Sequence, residues 1–111
     1  MSKDGTKNPN TKEPEMKVMM TWKLHPQTRH ETLAKFTAMK PKDEKALMGP
    51  DVKLIGRWHD LIGGTGVAIF EARSADAVSA YALAWNGVMD LVSAIVLDDE
   101  ETRAVGRSVG G

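Results

Sequence analysis

Apolar and polar positions alternate without a break from Met16 to Leu24. Met16, Val18, Met20, Trp22 and Leu24 fall on one side, and Lys17, Met19, Thr21 and Lys23 on the other. A period of two predicts a β-strand with one face turned to a core. The period then lengthens. Thr28-Arg-His-Glu31 has the form of a capping box, so a helix is predicted from about residue 28 to 40, with Leu33, Phe36 and the Lys40 stem turned inward and Pro41 ending it. Lys42 to Asp51 is charged and contains Gly49-Pro50, which reads as a connection with room for a helical turn. Alternation resumes at Val52. There Val52, Leu54, Gly56 and Trp58 are assigned to one face, and Lys53, Ile55, Arg57 and His59 to the other. Residues 60–65, with adjacent glycines, predict a hairpin loop, and residues 66–72 a third strand. Ser74 then caps a second helix, which carries Val78, Tyr81, Ala82 and Trp85 at helical spacing and stops at Asn86-Gly87. A last strand from about Met89 to Leu97 is apolar on both faces and runs into the acids Asp98 to Glu101.

The predicted order is βαββαβ, the ferredoxin-like pattern of the α+β class: a four-stranded antiparallel sheet with two helices on one face. The other face is left bare. It is expected to carry Met19, Thr21, Ile55, Arg57, Val67 and Ile69, a set too apolar to lie open to water. Two copies packed through these faces would cover it. The expected assembly is therefore a homodimer of the dimeric α/β barrel kind.

Residues 1–15 contain no Leu, Ile, Val or aromatic side chain, so nothing there offsets the entropy of ordering, and the stretch is expected to be a disordered tail. The folded domain is placed at residues 16–98, roughly 85 residues. Residues 99–111 are read as a weak C-terminal extension able to form a single helical turn over 99–105. A body of this size is often marginal alone. Cysteine is absent, which removes disulfides and thiolate chemistry. Fifteen basic and fifteen acidic residues cancel, leaving no electrostatic footprint for nucleic acid. No apolar run suits a membrane span or a signal peptide. The expected location is cytoplasmic.

Met19-Met-Thr-Trp22 with His25-Pro26, the segment Leu54-Ile-Gly-Arg-Trp-His59, Phe70-Glu71 and the helix-borne Trp85 resemble a family of small bacterial proteins known only as a domain of unknown function. The resemblance covers about residues 16–98, with Gly-Arg-Trp-His as its most specific part. It implies a ferredoxin-like dimeric α/β barrel and brings no reaction with it.

The strand ends gather the candidate chemistry. Trp22, Trp58 and Trp85 are expected in the layer between sheet and helices, either as plain core or as walls of a cavity shared with Met20 and Phe70. His59, beside Asp60, can serve as a proton acceptor or as a structural hydrogen-bonding group. His25 sits at a strand–helix corner, and His30 on a charged helix surface. Arg57 is expected to pair with Glu71. Three scattered histidines and a contiguous acidic run do not form a metal site. Gly63-Gly64-Thr65 precedes a strand rather than a helix, which argues against phosphate.

Two classes of function follow. One is a homodimeric module that binds a small apolar molecule at Trp22, Trp58, His59 and Trp85, or simply mediates interaction. The other is a cofactor-independent enzyme of the same fold, monooxygenase-like or isomerase-like, with His59, Arg57 or Tyr81 as its polar group. A haem-dependent version would need an axial ligand on the second helix, where Tyr81, Trp85 and Asn86 stand but no histidine. No cofactor is expected.

Overall fold

The computed structural model describes residues 15–110, so the tail expected over residues 1–15 lies outside the described residues save for Glu15. Four strands, β1 (Met16–Leu24), β2 (Val52–Asp60), β3 (Thr65–Ala72) and β4 (Met89–Val96), form one sheet in the order β2-β3-β1-β4. Every neighbouring pair is antiparallel. Helices α1 (Arg29–Ala38) and α2 (Pro41–Met48) fill the first crossover, and α3 (Ala75–Leu83) fills the second. This is the ferredoxin-like topology.

The core lies between sheet and helices. Val18 and Met20 of β1, Val52 of β2, and Ala68, Phe70 and Ala72 of β3 meet Val78 and Tyr81 of α3, with Trp85 and Met89 closing one end. Ala68, Phe70 and Ala72, alternate positions of β3, are all buried there, as the alternation requires. Phe70 is the largest side chain wholly enclosed, and its burial is worth about 2–3 kcal/mol. Its ring meets Tyr81 edge to face at 5.6 Å.

Helix ends differ from expectation in instructive ways. A 3-10 turn, Pro26–Thr28, leads into α1, and the Thr28 side chain makes no capping bond. The capping-box pattern there is satisfied in sequence alone. By contrast Ser74 caps α3 as expected, its hydroxyl accepting from the Ala77 N–H at 3.2 Å. The charged connection is a two-turn helix, α2, with Pro41 in its first turn and Asp43 and Glu44 at its positive end. The C-terminal stretch forms the twelve-residue helix α4 (Asp99–Gly110) rather than one turn. A reciprocal box starts it: Asp98 Oδ1 accepts from the Glu101 N–H at 2.8 Å, and Glu101 Oε1 from the Asp98 N–H at 2.9 Å. Lys17 joins both carboxylates, 3.2 Å from Glu101 and 3.6 Å from Asp98. None of the described helices is long and apolar enough to cross a membrane.

The largest departure is inside β2. Leu54 pairs with Phe70, but the next partner of β3, Ile69, is taken by Gly56, leaving Ile55 as an extra residue in a β-bulge. Beyond that point the alternation changes parity. Arg57 lies opposite Ala68 and His59 opposite Gly66, on the helix-covered side, while Trp58 lies opposite Val67 on the bare side. The expected faces of Arg57, Trp58 and His59 are thus exchanged. Trp58 is 61% exposed and belongs to no core.

Candidate functional site

The helix-covered side of β1, β2 and β3 and the inner faces of α1 and α3 leave a pocket open at one end. Its empty volume, counted out into the open solvent at its mouth, is about 620 Å³. Apolar side chains dominate the lining: Met20, Trp22 and Leu24 from β1, Leu33 and Phe36 from α1, Ala68 and Phe70 from β3, Ala82 from α3, and Met89 and Leu91 from β4. Polar groups enter only from Thr32, Arg57, His59, Tyr81 and Trp85.

Trp22 reaches the pocket by crossing onto β3. Its indole lies over Gly66, its cross-strand partner, where an added Cβ would run into the ring. Only glycine allows that approach. Trp58 is seated likewise on the other side of the sheet, its ring over Gly56, which a Cβ would meet at 2.5 Å.

His59 stands at the pocket mouth between two rings, 5.5 Å from Trp22 edge to face and 5.2 Å from Phe36. Desolvation, helped by the positive Arg57, holds its pKa below the usual histidine value of 6.5. The imidazole is accordingly uncharged at neutral pH. Arg57 lies deeper, its guanidinium carbon 4.7 Å from the Phe36 ring centre, and it is ion-paired with Glu44 of α2. Both partners of that pair are largely buried. The expected Arg57–Glu71 pair is therefore replaced: the bulge sends Arg57 to the helix side, whereas Glu71, opposite Lys17 and Lys53, stays on the bare side.

Burial raises the Tyr81 pKa above its ordinary value of 10.0, so the phenol keeps its proton. The Trp85 indole N–H is near enough to weigh against that rise but not in hydrogen-bond geometry. His25 is remote from this cluster in role, its Nε2 joined to Asp90 Oδ1 at 2.9 Å. His30 is exposed on α1. Asp60 closes the β2–β3 loop instead of serving His59: its Oδ1 accepts from the N–H groups of Ile62 at 3.1 Å and Gly63 at 3.0 Å. Among the described residues no group of three or more His, Asp or Glu side chains is disposed to hold a metal ion.

Of the residues singled out in the sequence, Trp22, Arg57, His59, Tyr81 and Trp85 come together in one pocket, and Trp58 does not. Thr32 and Glu44 were missed. Thr32 was legible from Phe36, four residues on and hence on the same helical face. Glu44 was legible from Pro41 followed by two acids, the signature of a helix start. No curated protein matches the chain. The family profile described as Domain of unknown function (DUF3303) matches residues 16–110, nearly the whole chain, and the protein belongs to that family.

Proposed function

We propose that the protein is a homodimeric module that binds a small, largely apolar molecule in the pocket between its sheet and helices. The observation that supports this most is the pocket itself: apolar walls from both layers converge on a few polar groups at one end, with an open mouth beside His59. Self-association draws its support from the bare side of the sheet. Met19, Thr21, Val67 and Ile69 line it, flanked by Trp58 and by Val92, which is 67% exposed. Lone apolar residues are common on surfaces, but a contiguous patch with an exposed tryptophan at its border is what an interface presents.

Titration with N-phenyl-1-naphthylamine, a neutral apolar fluorophore, tests the pocket. Emission should rise on binding and fall when small aromatic compounds compete, whereas a Phe36→Glu protein should respond weakly. No response from the folded parent protein would overturn the reading. Sedimentation at micromolar concentration tests assembly, with a dimer expected and a stable monomer refuting it.

A cofactor-independent enzyme on the same pocket is the second reading, favoured by one observation. An uncharged imidazole held between two rings and beside a guanidinium is suited to take a proton from a bound molecule. Chemical conversion of a bound ligand by the parent, lost in His59→Ala with binding retained, would distinguish it from simple binding.

A further inference from the structure

Two polar groups in the pocket wall are buried and unpaired. Thr32 is 5% exposed and Trp85 8%, and neither Thr32 Oγ1 nor Trp85 Nε1 has a hydrogen-bond partner. A threonine within a helix ordinarily spends its hydroxyl on the carbonyl four residues back, as Thr37 does with Leu33 at 2.8 Å on the same helix. Thr32 does not. Burial without a partner is costly for both groups, and a ligand that satisfied them would remove that cost.

The chemistry of the pair says what is missing. An indole N–H can only donate, and a hydroxyl can donate as readily as accept. The absent partner is therefore an acceptor. Charge then narrows the choice. Arg57 is matched by Glu44, while Tyr81 and His59 are both uncharged at neutral pH. The lining holds no unbalanced positive charge with which to offset the desolvation of an anion.

We propose that the pocket selects neutral molecules carrying a carbonyl-type acceptor oxygen on an apolar body, with that oxygen received by Trp85 Nε1–H or by the Thr32 hydroxyl. This rests on the reading of the pocket as a ligand site and specifies its ligand class.

Three single-ring probes of similar size separate the alternatives: acetophenone offers the neutral oxygen, ethylbenzene offers the same shape without it, and benzoate offers oxygen with charge. Calorimetric titration of the full chain should show acetophenone binding about tenfold more tightly than ethylbenzene, the worth of a hydrogen bond to a buried donor, with benzoate weaker than acetophenone. Thr32→Val, which keeps shape and deletes the hydroxyl, should reduce the ratio of acetophenone to ethylbenzene affinity several-fold. Trp85→Phe should do the same by removing the N–H. Equal affinity for acetophenone and ethylbenzene in the parent overturns acceptor recognition and leaves the apolar-ligand reading standing. Tighter binding of benzoate overturns the selection for neutral molecules, and binding of none of the three overturns both the inference and the reading beneath it. Should a variant fail to fold, the parent's ranking of the three probes decides alone.

Discussion

His59 and Trp58 are adjacent in sequence and opposite in circumstance. The imidazole is held uncharged chiefly by desolvation and further by the positive Arg57. Its folded-state pKa lies below 6.5, the unfolded value, so at pH just under 6.5 the unfolded chain binds more protons than the folded one. The fold is free of this penalty above the unfolded pKa and loses stability as pH falls from about 6.5 through the lower folded value. Urea unfolding midpoints should therefore drop more between about pH 7 and pH 5 in the parent than in His59→Gln. Equal drops would refute the shift. For Trp58 the burial decides differently: at 61% exposure, Trp58→Ala removes little from the isolated fold, about 1 kcal/mol or less. In the proposed dimer the same side chain is covered by the partner, and its loss should weaken association by about 2 kcal/mol, roughly thirtyfold in the dissociation constant. Sedimentation of the variant across a concentration series measures this.

At the scale of elements, β2 carries the site because of one extra residue. Ile55 has no partner on β3, so deleting it would leave Leu54 opposite Phe70, Gly56 opposite Ile69, and every later residue on its present face. Removal of a residue from mid-strand should consequently be tolerated, with a cost of no more than about 2 kcal/mol and with probe binding retained. Deleting Trp58 is the informative contrast. It would swing His59 to the bare side and should abolish the His59-dependent part of the pH profile. If both deletions behave alike, the bulge does not set the faces. The same feature marks where sequence reasoning held and where it stopped. β1 alternates without interruption, and its faces were read correctly; β3 likewise. In β2 strict alternation was carried past Ile55 although Gly56, a glycine inside a strand, is the local mark of such an irregularity. Trp22, Tyr81 and Trp85 were legible from the alternation of β1 and the helical spacing of the second crossover, whereas Arg57 and His59, although named as candidates, were assigned to the bare side. What they face was not legible. Two competing capping boxes show a related limit: Thr28 and Glu31 match the pattern without the bond, while Asp98 and Glu101 form it and support three turns of helix.

At the scale of the whole molecule, one sheet separates two tasks. Its covered side encloses the pocket, and its open side presents Met19, Val67, Ile69 and Trp58. Every strand contributes to both, and β2 does so from an edge of the sheet, hydrogen-bonded to a neighbour on one side only. In the proposed assembly, a molecule seated against His59 would steady that strand from within, and a second copy seated on Trp58 would steady it from without. Free energy that one event contributes to ordering the strand need not be supplied again by the other, so the proposed occupancy and association should reinforce each other reciprocally. At saturating acetophenone the dimer dissociation constant should fall by the square of the ratio in which acetophenone affinity per pocket rises from monomer to dimer, because each dimer holds two pockets. An unchanged constant would mean that the two sides of the strand act independently. Where the factor is large, the hydrodynamic size of the protein at fixed concentration becomes a label-free report of a full pocket. A cell extract could then be fractionated for the natural ligand by its effect on sedimentation, before anything is known of its structure.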